Sequence, residues 1–354
     1  MPPDRQPAGL PPAHRRFRHP RVRLLPGRPR PRVPERGAPP GRRAEGVGPL
    51  PARLTVAPRI CCVGGAVVDH YRDLGLVFPG GNACNTAAYA ARSGAAVAFL
   101  GVVGDDPAGA LLRHGLEAEG VDLSGLRTVR GRTPVVTVAG EGGGDFRCVA
   151  CPRATLSPAW GGVDPPTGFD LVHLASTSRA DAAVRAWAGG VALSYDFGEG
   201  PVDPGLASLV AVAAVSRPGM SDDAAAALAE EAQALGPSLV VVLRGAAGAT
   251  AREGGEACHQ RAAAAGVVDP LGAGDALVAR LLVGWLSGEA VATALAAGSR
   301  AAARACAHLG GFGHGKPAAE GLPVGGGSAS AGGEGDDVRP PGQDGDAGCG
   351  AHLP

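Results

Sequence analysis

Aromatic residues and lysine are scarce in this sequence. Phe, Trp and Tyr together make up 4% of the 354 residues, and Lys316 is the one lysine among 33 basic residues. Hydrophobic residues still account for 45% of the chain, so a large core can form from alanine and small aliphatic side chains. This compositional bias is weak evidence for any particular function.

A net charge is also lacking, but the charges are unevenly distributed. Residues 1–59 carry 14 of the 33 basic side chains and three of the 33 acidic ones, so the remaining residues carry 19 basic and 30 acidic side chains. The larger part of the chain is therefore acidic. We do not expect it to bind nucleic acid on its surface.

Long apolar runs and an N-terminal secretory signal are absent too. No stretch of 18 apolar residues occurs without glycine or charge, so we expect no membrane contact and a cytoplasmic location. The eight cysteines are then expected to be reduced. Cys148 and Cys151 have the spacing of a metal-binding pair, but no second pair accompanies them, which disfavours zinc.

Both ends of the chain lack hydrophobic periodicity. Residues 1–57 are rich in Arg and Pro and are predicted to be disordered; a basic arm for nucleic acid or anionic lipid, and an upstream start codon, are the alternatives. Residues 317–354 are glycine-rich and are predicted to form a flexible tail. The predicted folded domain therefore covers residues 58–316.

Short apolar runs alternate with helical segments inside this domain. Buried strands are predicted over residues 59–65, 96–104, 170–175, 191–197, 212–216 and 238–245. Helices are predicted over 82–93, 107–119, 179–188 and 221–235, with two more between 273 and 309. The alternation predicts an α/β fold with a mostly parallel sheet and a site at the carboxyl ends of its strands. A hairpin is predicted within 134–150.

Two glycine-rich turns carry polar residues at helix starts. In GGNACN, Gly80 and Gly81 precede a helix with Asn82 and Asn85 in its first turn. In DPLGAGDA, the small residues directly ahead of the acid are Gly272, Ala273 and Gly274, and the acid is Asp275. A helix start accepts a capping carboxylate or a bound anion, and three small residues in a row exceed what a cap needs.

These two motifs resemble the signatures of the PfkB (ribokinase-like) carbohydrate kinases. The stretch VGDDPAGALLRHGLEAEGVDLSGL (103–126) also matches a recurrent segment of that family, and the resemblance covers roughly residues 58–315. It implies a ribokinase-like three-layer sandwich with a mostly parallel central sheet and a reduced β lid. It further implies phosphoryl transfer from ATP, with Mg²⁺, to a sugar hydroxyl.

The resemblance assigns expected roles to individual residues. Asp275 would be the general base, and the backbone amides of Gly272, Ala273 and Gly274 would form the anion hole. The sugar would bind to Asp69, Gly80, Gly81, Asn82 and Asn85, although Asp69 alone also fits a strand-end turn. The nucleotide would contact Arg244, Gly245, Gly248 and Gly311, although a helix-terminating turn fits Gly311 equally well.

One family motif is missing. Many members carry an Asn-x-x-Glu that helps to place magnesium and phosphate, and this chain has Ser216 and Gly219 in the corresponding stretch, AVSRPGMSDD. Either the metal is held through water and Asp269, or activity is weakened. A catalytically weak sugar- or nucleotide-binding regulator is therefore an alternative to an active kinase.

The predicted acceptor depends on a short segment. Ten residues separate Asp69 from Gly80, fewer than in ribokinase-like members, where this segment forms part of the lid. The surrounding sequence is most similar to members that phosphorylate the 6-hydroxyl of a fructose joined to an amino acid. The predicted substrate is thus a fructosamine such as fructoselysine; alternatives are ribose, fructose, 2-keto-3-deoxygluconate or a nucleoside. The sequence leaves the oligomeric state undecided between monomer and homodimer, since the shortened lid removes a surface by which some relatives dimerise.

Overall fold

The computed structural model describes residues 56–142, 145–150 and 160–318. The predictions for 1–57 and 317–354 fall almost entirely outside this range. The strands are β1 (Arg59–Val63), β2 (Val67–Tyr71), β3 (Leu76–Gly80), β4 (Ala96–Gly104), β5 (Leu126–Val129), β6 (Val135–Gly142), β7 (Asp145–Ala150), β8 (Leu171–Ala175), β9 (Leu193–Asp196), β10 (Val212–Ser216), β11 (Leu239–Leu243), β12 (Ala249–Glu253), β13 (Glu256–Gln260) and β14 (Lys316–Pro317).

Six of the seven α-helices in the described residues match predicted ones, and the short helix at Pro204–Ala207 was not predicted. The helices are α1 (Asn82–Arg92), α2 (Pro107–Ala118), α3 (Asp181–Trp187), α4 (Pro204–Ala207), α5 (Asp222–Gln233), α6 (Ala273–Leu286) and α7 (Val291–Ala305). Helix α2 begins at Pro107 behind Asp106, whose side chain caps Gly109 N–H. None of the described helices is long and apolar enough to cross a bilayer.

A nine-stranded sheet lies at the centre of the fold. Its order is β13-β12-β11-β10-β9-β8-β1-β4-β5. All neighbours from β11 to β5 pair in parallel, and β12 and β13 add an antiparallel edge. The predicted α/β class and mostly parallel sheet are confirmed.

Helices cover both faces of this sheet, as the period of two along a strand requires. Ile60 and Cys62 of β1 pack in a core that includes α1, α2, α6 and α7. Cys61 and Val63, on the other face, pack in a core with α3, α4 and α5. The result is the three-layer arrangement expected from the sequence.

A second, smaller sheet has the order β14-β3-β2-β6-β7. The predicted hairpin is β6 and β7, which pair antiparallel. The short segment after Asp69 was not predicted as strand; it forms a tight antiparallel hairpin of β2 and β3, joined by one 3₁₀ turn at Arg72–Leu74. Polar residues within β2 masked its strand pattern in the sequence.

Candidate active site

The predicted base, Asp275, lies in the first turn of α6. This helix begins behind Gly272, whose φ is 80° and whose position leaves no room for a side chain: a Cβ there would lie 2.4 Å from the carbonyl oxygen of Gly311. Glycine is therefore required at this turn. The turn holds the carboxyl group of Asp275 at the positive end of the helix.

Both oxygens of Asp275 accept hydrogen bonds from α1. The amide Nδ2 of Asn82 donates to Oδ1 at 2.7 Å, and Nδ2 of Asn85 donates to Oδ2 at 2.7 Å. Burial raises the pKa of Asp275 to about 7; the Asn85 hydrogen bond opposes this shift, and the charge of Asp196 adds to it. The structure thus joins two motifs that lie far apart in the sequence around one carboxylate that can exchange a proton near neutral pH.

Asp196 is a site residue that the sequence analysis missed. It ends β9 and is buried, and its Oδ2 accepts from Nδ2 of Asn82 at 2.8 Å. Its Oδ1 accepts from the backbone N–H of Gly198 at 2.8 Å. Burial raises the pKa of this carboxyl group as well. The sequence did contain a signal for Asp196, because an acid at the carboxyl end of an apolar strand in an α/β sheet lies where ligands bind.

Asp69 comes from the smaller sheet. It lies on β2 and is buried, and a Cβ on Gly80 would approach its Oδ2 to 1.9 Å, so Gly80 makes space for the carboxylate. Burial raises the pKa of Asp69 to about 8, and the charges of Asp269 and Asp275 add to the effect. The predicted sugar-binding residues therefore do meet at one place, with Gly81 as the N-cap of α1.

Asp269 is held by several hydrogen bonds. It is fully buried; its Oδ1 accepts from Leu271 N–H at 3.0 Å, and its Oδ2 accepts from Gly310 N–H at 2.8 Å and from the hydroxyl of Tyr71. Asp269 thereby ties β2 and the segment after α7 to the start of α6. Because both oxygens are engaged, this geometry favours a structural role, and its weak link to magnesium stays a prediction.

Gly311, one of the predicted nucleotide contacts, packs against α1 and the start of α6. A Cβ on Gly311 would come within 2.4 Å of Oδ1 of Asn85, and its carbonyl oxygen abuts Gly272. The chain after α7 passes between the start of α6 and α1. Gly311 therefore contacts the residues predicted for sugar and phosphate.

A cavity of about 420 Å³ lies beside the start of α6. Its wall includes Gly245 and Gly248, two of the residues predicted to contact the nucleotide, together with small or apolar residues such as Leu243, Ala263, Ala273, Gly274, Ala302 and Ala303. Arg244 is not part of this wall. Its buried guanidinium instead contacts Asp222 at 2.5 Å and donates to the carbonyl of Met220 at 3.1 Å.

The predicted anion hole is only partly free for a ligand. Ala273 N–H donates to the carbonyl of Pro270 at 3.1 Å, which closes the turn. The N–H groups of Gly274 and Asp275 belong to the first turn of α6, which leaves them without intrahelical partners. These amides, with that of Gly272, are the donors best placed for a phosphate oxygen.

Metal-binding side chains are not clustered in the part of the chain that the structure describes. No group of three or more His, Cys, Asp or Glu residues there is suited to hold a metal ion. The free thiols in this part are Cys61, Cys62, Cys84, Cys258 and Cys306. Cys148 is disulfide-bonded, which departs from the expectation that all cysteines are reduced.

Comparison with known proteins agrees with this arrangement. The sequence-family model of the pfkB family carbohydrate kinases matches residues 60–185 and 211–313 of this chain. A fructosamine kinase of Bacillus subtilis (strain 168) is 31% identical over 268 residues, which cover 73% of this chain and 94% of the relative. A fructoselysine 6-kinase of Escherichia coli (strain K12) is 30% identical over 256 residues, covering 69% and 96%.

A solved structure shows the same fold. The ribokinase of Arabidopsis thaliana complexed with ribose and ATP superposes with a TM-score of 0.62 at 20% identity, and the match covers 73% of this chain and 95% of the ribokinase. The sequence motifs, the three-layer fold and the relatives agree. The chain belongs to the pfkB family of carbohydrate kinases, and it is an ATP-dependent sugar kinase.

Proposed function

We propose that this kinase transfers the γ-phosphoryl group of ATP to the 6-hydroxyl of a fructosamine such as fructoselysine. The observation that carries the proposed chemistry is the placement of Asp275, whose two oxygens are held by Asn82 and Asn85 at the start of α6. A base held in this way, next to helix N–H groups, supplies what phosphoryl transfer asks of a protein: alignment, proton acceptance and positive electrostatics.

Asp275 takes the proton from the attacking hydroxyl in this scheme. Its pKa of about 7 means that a large part of the enzyme holds the ionised form at neutral pH, and that this carboxylate is basic enough to accept the hydroxyl proton. The amides of Gly272, Gly274 and Asp275 itself stabilise charge on the transferred phosphoryl group, assisted by the dipole of α6. Ala273 contributes mainly by closing the turn.

ATP is assigned to the cavity beside this turn. Gly245, Gly248 and the alanines of α7 give the cavity an apolar wall that suits an adenine ring, and Gly274 is shared by the cavity and the helix start. The phosphates then extend toward Asp275. Gly311 is better assigned to the wall behind Asn85 than to the adenine.

Magnesium fits this donor set as an ion carried by the nucleotide. Mg²⁺ needs only one or two protein carboxylates and otherwise keeps water and phosphate oxygens, so a protein cage is unnecessary. When bound, it would neutralise charge on the β- and γ-phosphates. Asp269 would act on it only through water, because its oxygens already accept three hydrogen bonds.

A fructosamine acceptor is supported by the relatives and by the acidic character of the site. The two relatives above are named for fructosamine and fructoselysine. Asp69, Asp196 and Asp275 gather in one place, and the substituent of a fructosamine is joined through an amine that is cationic at neutral pH. A cationic acceptor is therefore electrostatically favoured over a neutral one. A cytoplasmic location and a homodimer stay predictions.

The test is a measurement of ATP consumption over a panel of acceptors. Fructosyl-lysine should give the highest kcat/KM, ahead of free fructose, ribose, nucleosides and 2-keto-3-deoxygluconate, with the product identified as the 6-phosphate by NMR. A higher kcat/KM for a neutral sugar would transfer the assignment to that sugar. Binding without turnover of any acceptor would instead favour the regulatory alternative.

A further inference from the structure

One amide nitrogen joins two carboxylates in this site. Nδ2 of Asn82 donates to Asp196 at 2.8 Å and to Asp275 at 2.7 Å. A primary amide nitrogen carries two hydrogens, so each carboxylate receives one of them. The two acids thus hold the amide of Asn82 from both sides.

This pair of acceptors fixes which way the amide faces. If the amide were flipped, its oxygen would lie against two carboxylates, and acceptor–acceptor contacts of that kind are repulsive. In the observed orientation Oδ1 of Asn82 is buried and has no partner among the described residues, and the same holds for Oδ1 of Asn85. Oδ1 of Asn85 packs against Gly311, whereas Oδ1 of Asn82 is left to accept a hydrogen bond from a hydroxyl of a bound sugar.

Asp196 is itself firmly placed. Arg217 donates to the carbonyl oxygens of Glu199 at 3.0 Å and of Gly200 at 2.9 Å, and Ser216 N–H donates to the carbonyl of Gly198 at 2.8 Å. These bonds fasten the turn after β9 to the end of β10. The same turn supplies the Gly198 N–H that binds Oδ1 of Asp196.

We propose that Asp196 is a positioning residue: it orients the amide of Asn82 so that one N–H holds Asp275 and Oδ1 receives a hydroxyl of the sugar. The inference rests on the proposed role of Asp275 as base. It adds a residue, and a function for its negative charge, that the sequence motifs did not indicate. The charge of Asp196 also makes ionisation of Asp275 harder.

The test compares two substitutions of one residue. Asp196→Ala removes both acceptor oxygens and frees the Asn82 amide, so the sugar KM should rise about tenfold while the ATP KM stays within about twofold. Asp196→Asn removes the charge but keeps one acceptor oxygen, so its sugar KM should rise less. Without the charge the pKa of Asp275 falls, and the acidic limb of the kcat/KM profile should move down by about one pH unit.

Glu199→Gln is the matched control. Glu199 is an exposed acid in the same turn, so its neutralisation should change neither the sugar KM nor the acidic limb. An unchanged sugar KM in Asp196→Ala would overturn the proposal. So would a changed ATP KM or magnesium dependence with an unmoved acidic limb, since Asp196 would then act on the nucleotide side.

Calorimetric titration of the sugar without ATP separates this proposal from the proposed function. If Asp275 is not the base, Asp275→Asn will remain active whatever Asp196 does. If only the positioning role is wrong, Asp275→Asn will be inactive, and Asp196→Ala will bind sugar as tightly as the wild type.

Discussion

The two ends of the site are built in different ways. At the proposed sugar end, side chains from β2, β9, α1 and α6 converge, and Asn82 and Asn85 hold the carboxylates of Asp196 and Asp275 through hydrogen bonds of 2.7–2.8 Å. At the proposed nucleotide end, a cavity of about 420 Å³ is lined chiefly by glycine, alanine and other small residues. One end relies on directional polar contacts, and the other relies on shape.

This difference indicates where each kind of selectivity resides. Hydrogen-bonded groups that must all be satisfied discriminate strongly between acceptors, whereas a smooth apolar wall discriminates by volume alone. Substitutions at the sugar end should therefore alter chemistry and its pH dependence. Substitutions in the cavity wall should alter ATP binding and leave the chemistry in place.

The largest expected effect is that of Asp275→Asn. Loss of the base should lower kcat by about 10³-fold, within the range for general base catalysis. The variant should still bind ADP, because the cavity is intact, and its melting temperature should stay close to that of the wild type. The measurements are steady-state kinetics, calorimetric ADP titration and thermal unfolding; undiminished turnover would remove Asp275 from the mechanism.

The sequence predicted the elements near Asp275 well because its motifs are local. Glycine turns ahead of apolar helices identify the starts of α1 and α6 within a residue or two, and buried apolar runs identify the central strands. Family order then placed Asn82 and Asn85 near Asp275. These predictions needed only the short-range rules of turns, caps and periodicity.

The pairings of Asp196 and Tyr71 could not be found in the same way. Each gains its role from a partner about 100 residues or more away, Asn82 for Asp196 and Asp269 for Tyr71, and no local pattern records such a pairing. Gly311 was assigned to the nucleotide from the family resemblance alone, because a glycine cluster after a helix carries no directional information. The path of the chain after α7, which brings it beside Asn85, depends on tertiary packing.

A second substitution sharpens the contrast at the sugar end. Asn85 donates to ionised Asp275 and so lowers its pKa, which burial has raised to about 7. Asn85→Ala removes this donor, so the pKa should rise and the acidic limb of kcat/KM should move to higher pH. The shift has the opposite sign to that expected for Asp196→Asn.

Thr86→Val is the control for this pH experiment. Thr86 is the next residue of α1 and is buried, and its hydroxyl has no partner among the described residues, so valine should leave the limb where it is. The readout is kcat/KM from about pH 5 to 9 at saturating ATP. A limb that moves to lower pH in Asn85→Ala would contradict the assigned hydrogen bond.

A third substitution breaks the nucleotide end alone. Ala302→Leu places three extra carbons in the wall of the cavity, and the KM for ATP should rise by about tenfold through lost volume. The KM for the sugar and the pH profile should stay as in the wild type. Ala292→Leu, exposed on the same helix α7, is the control. Equal changes in both KM values would mean that the two ends are not separable.

A further expected effect is on stability and arises from the same polar network. Burial raises the pKa values of Asp69 to about 8 and of Asp275 to about 7, both above the ordinary value of 3.8. Between pH 3.8 and these raised pKa values, the folded state therefore binds more protons than the unfolded state. The stabilisation that these two carboxyl groups give the folded state is complete below pH 3.8. It is lost as the pH rises through 7 and 8.

The free energy of unfolding should accordingly decrease between pH 5 and pH 8, measured by denaturant titration at fixed ionic strength. Asp69→Asn should flatten this dependence because it removes one of the buried titrating groups. Asp164→Asn, which changes an exposed acid, should leave the slope unaltered. An unchanged slope in Asp69→Asn would show that ionisation of Asp69 does not lower the free energy of unfolding. Burial at the sugar end would then not oppose ionisation.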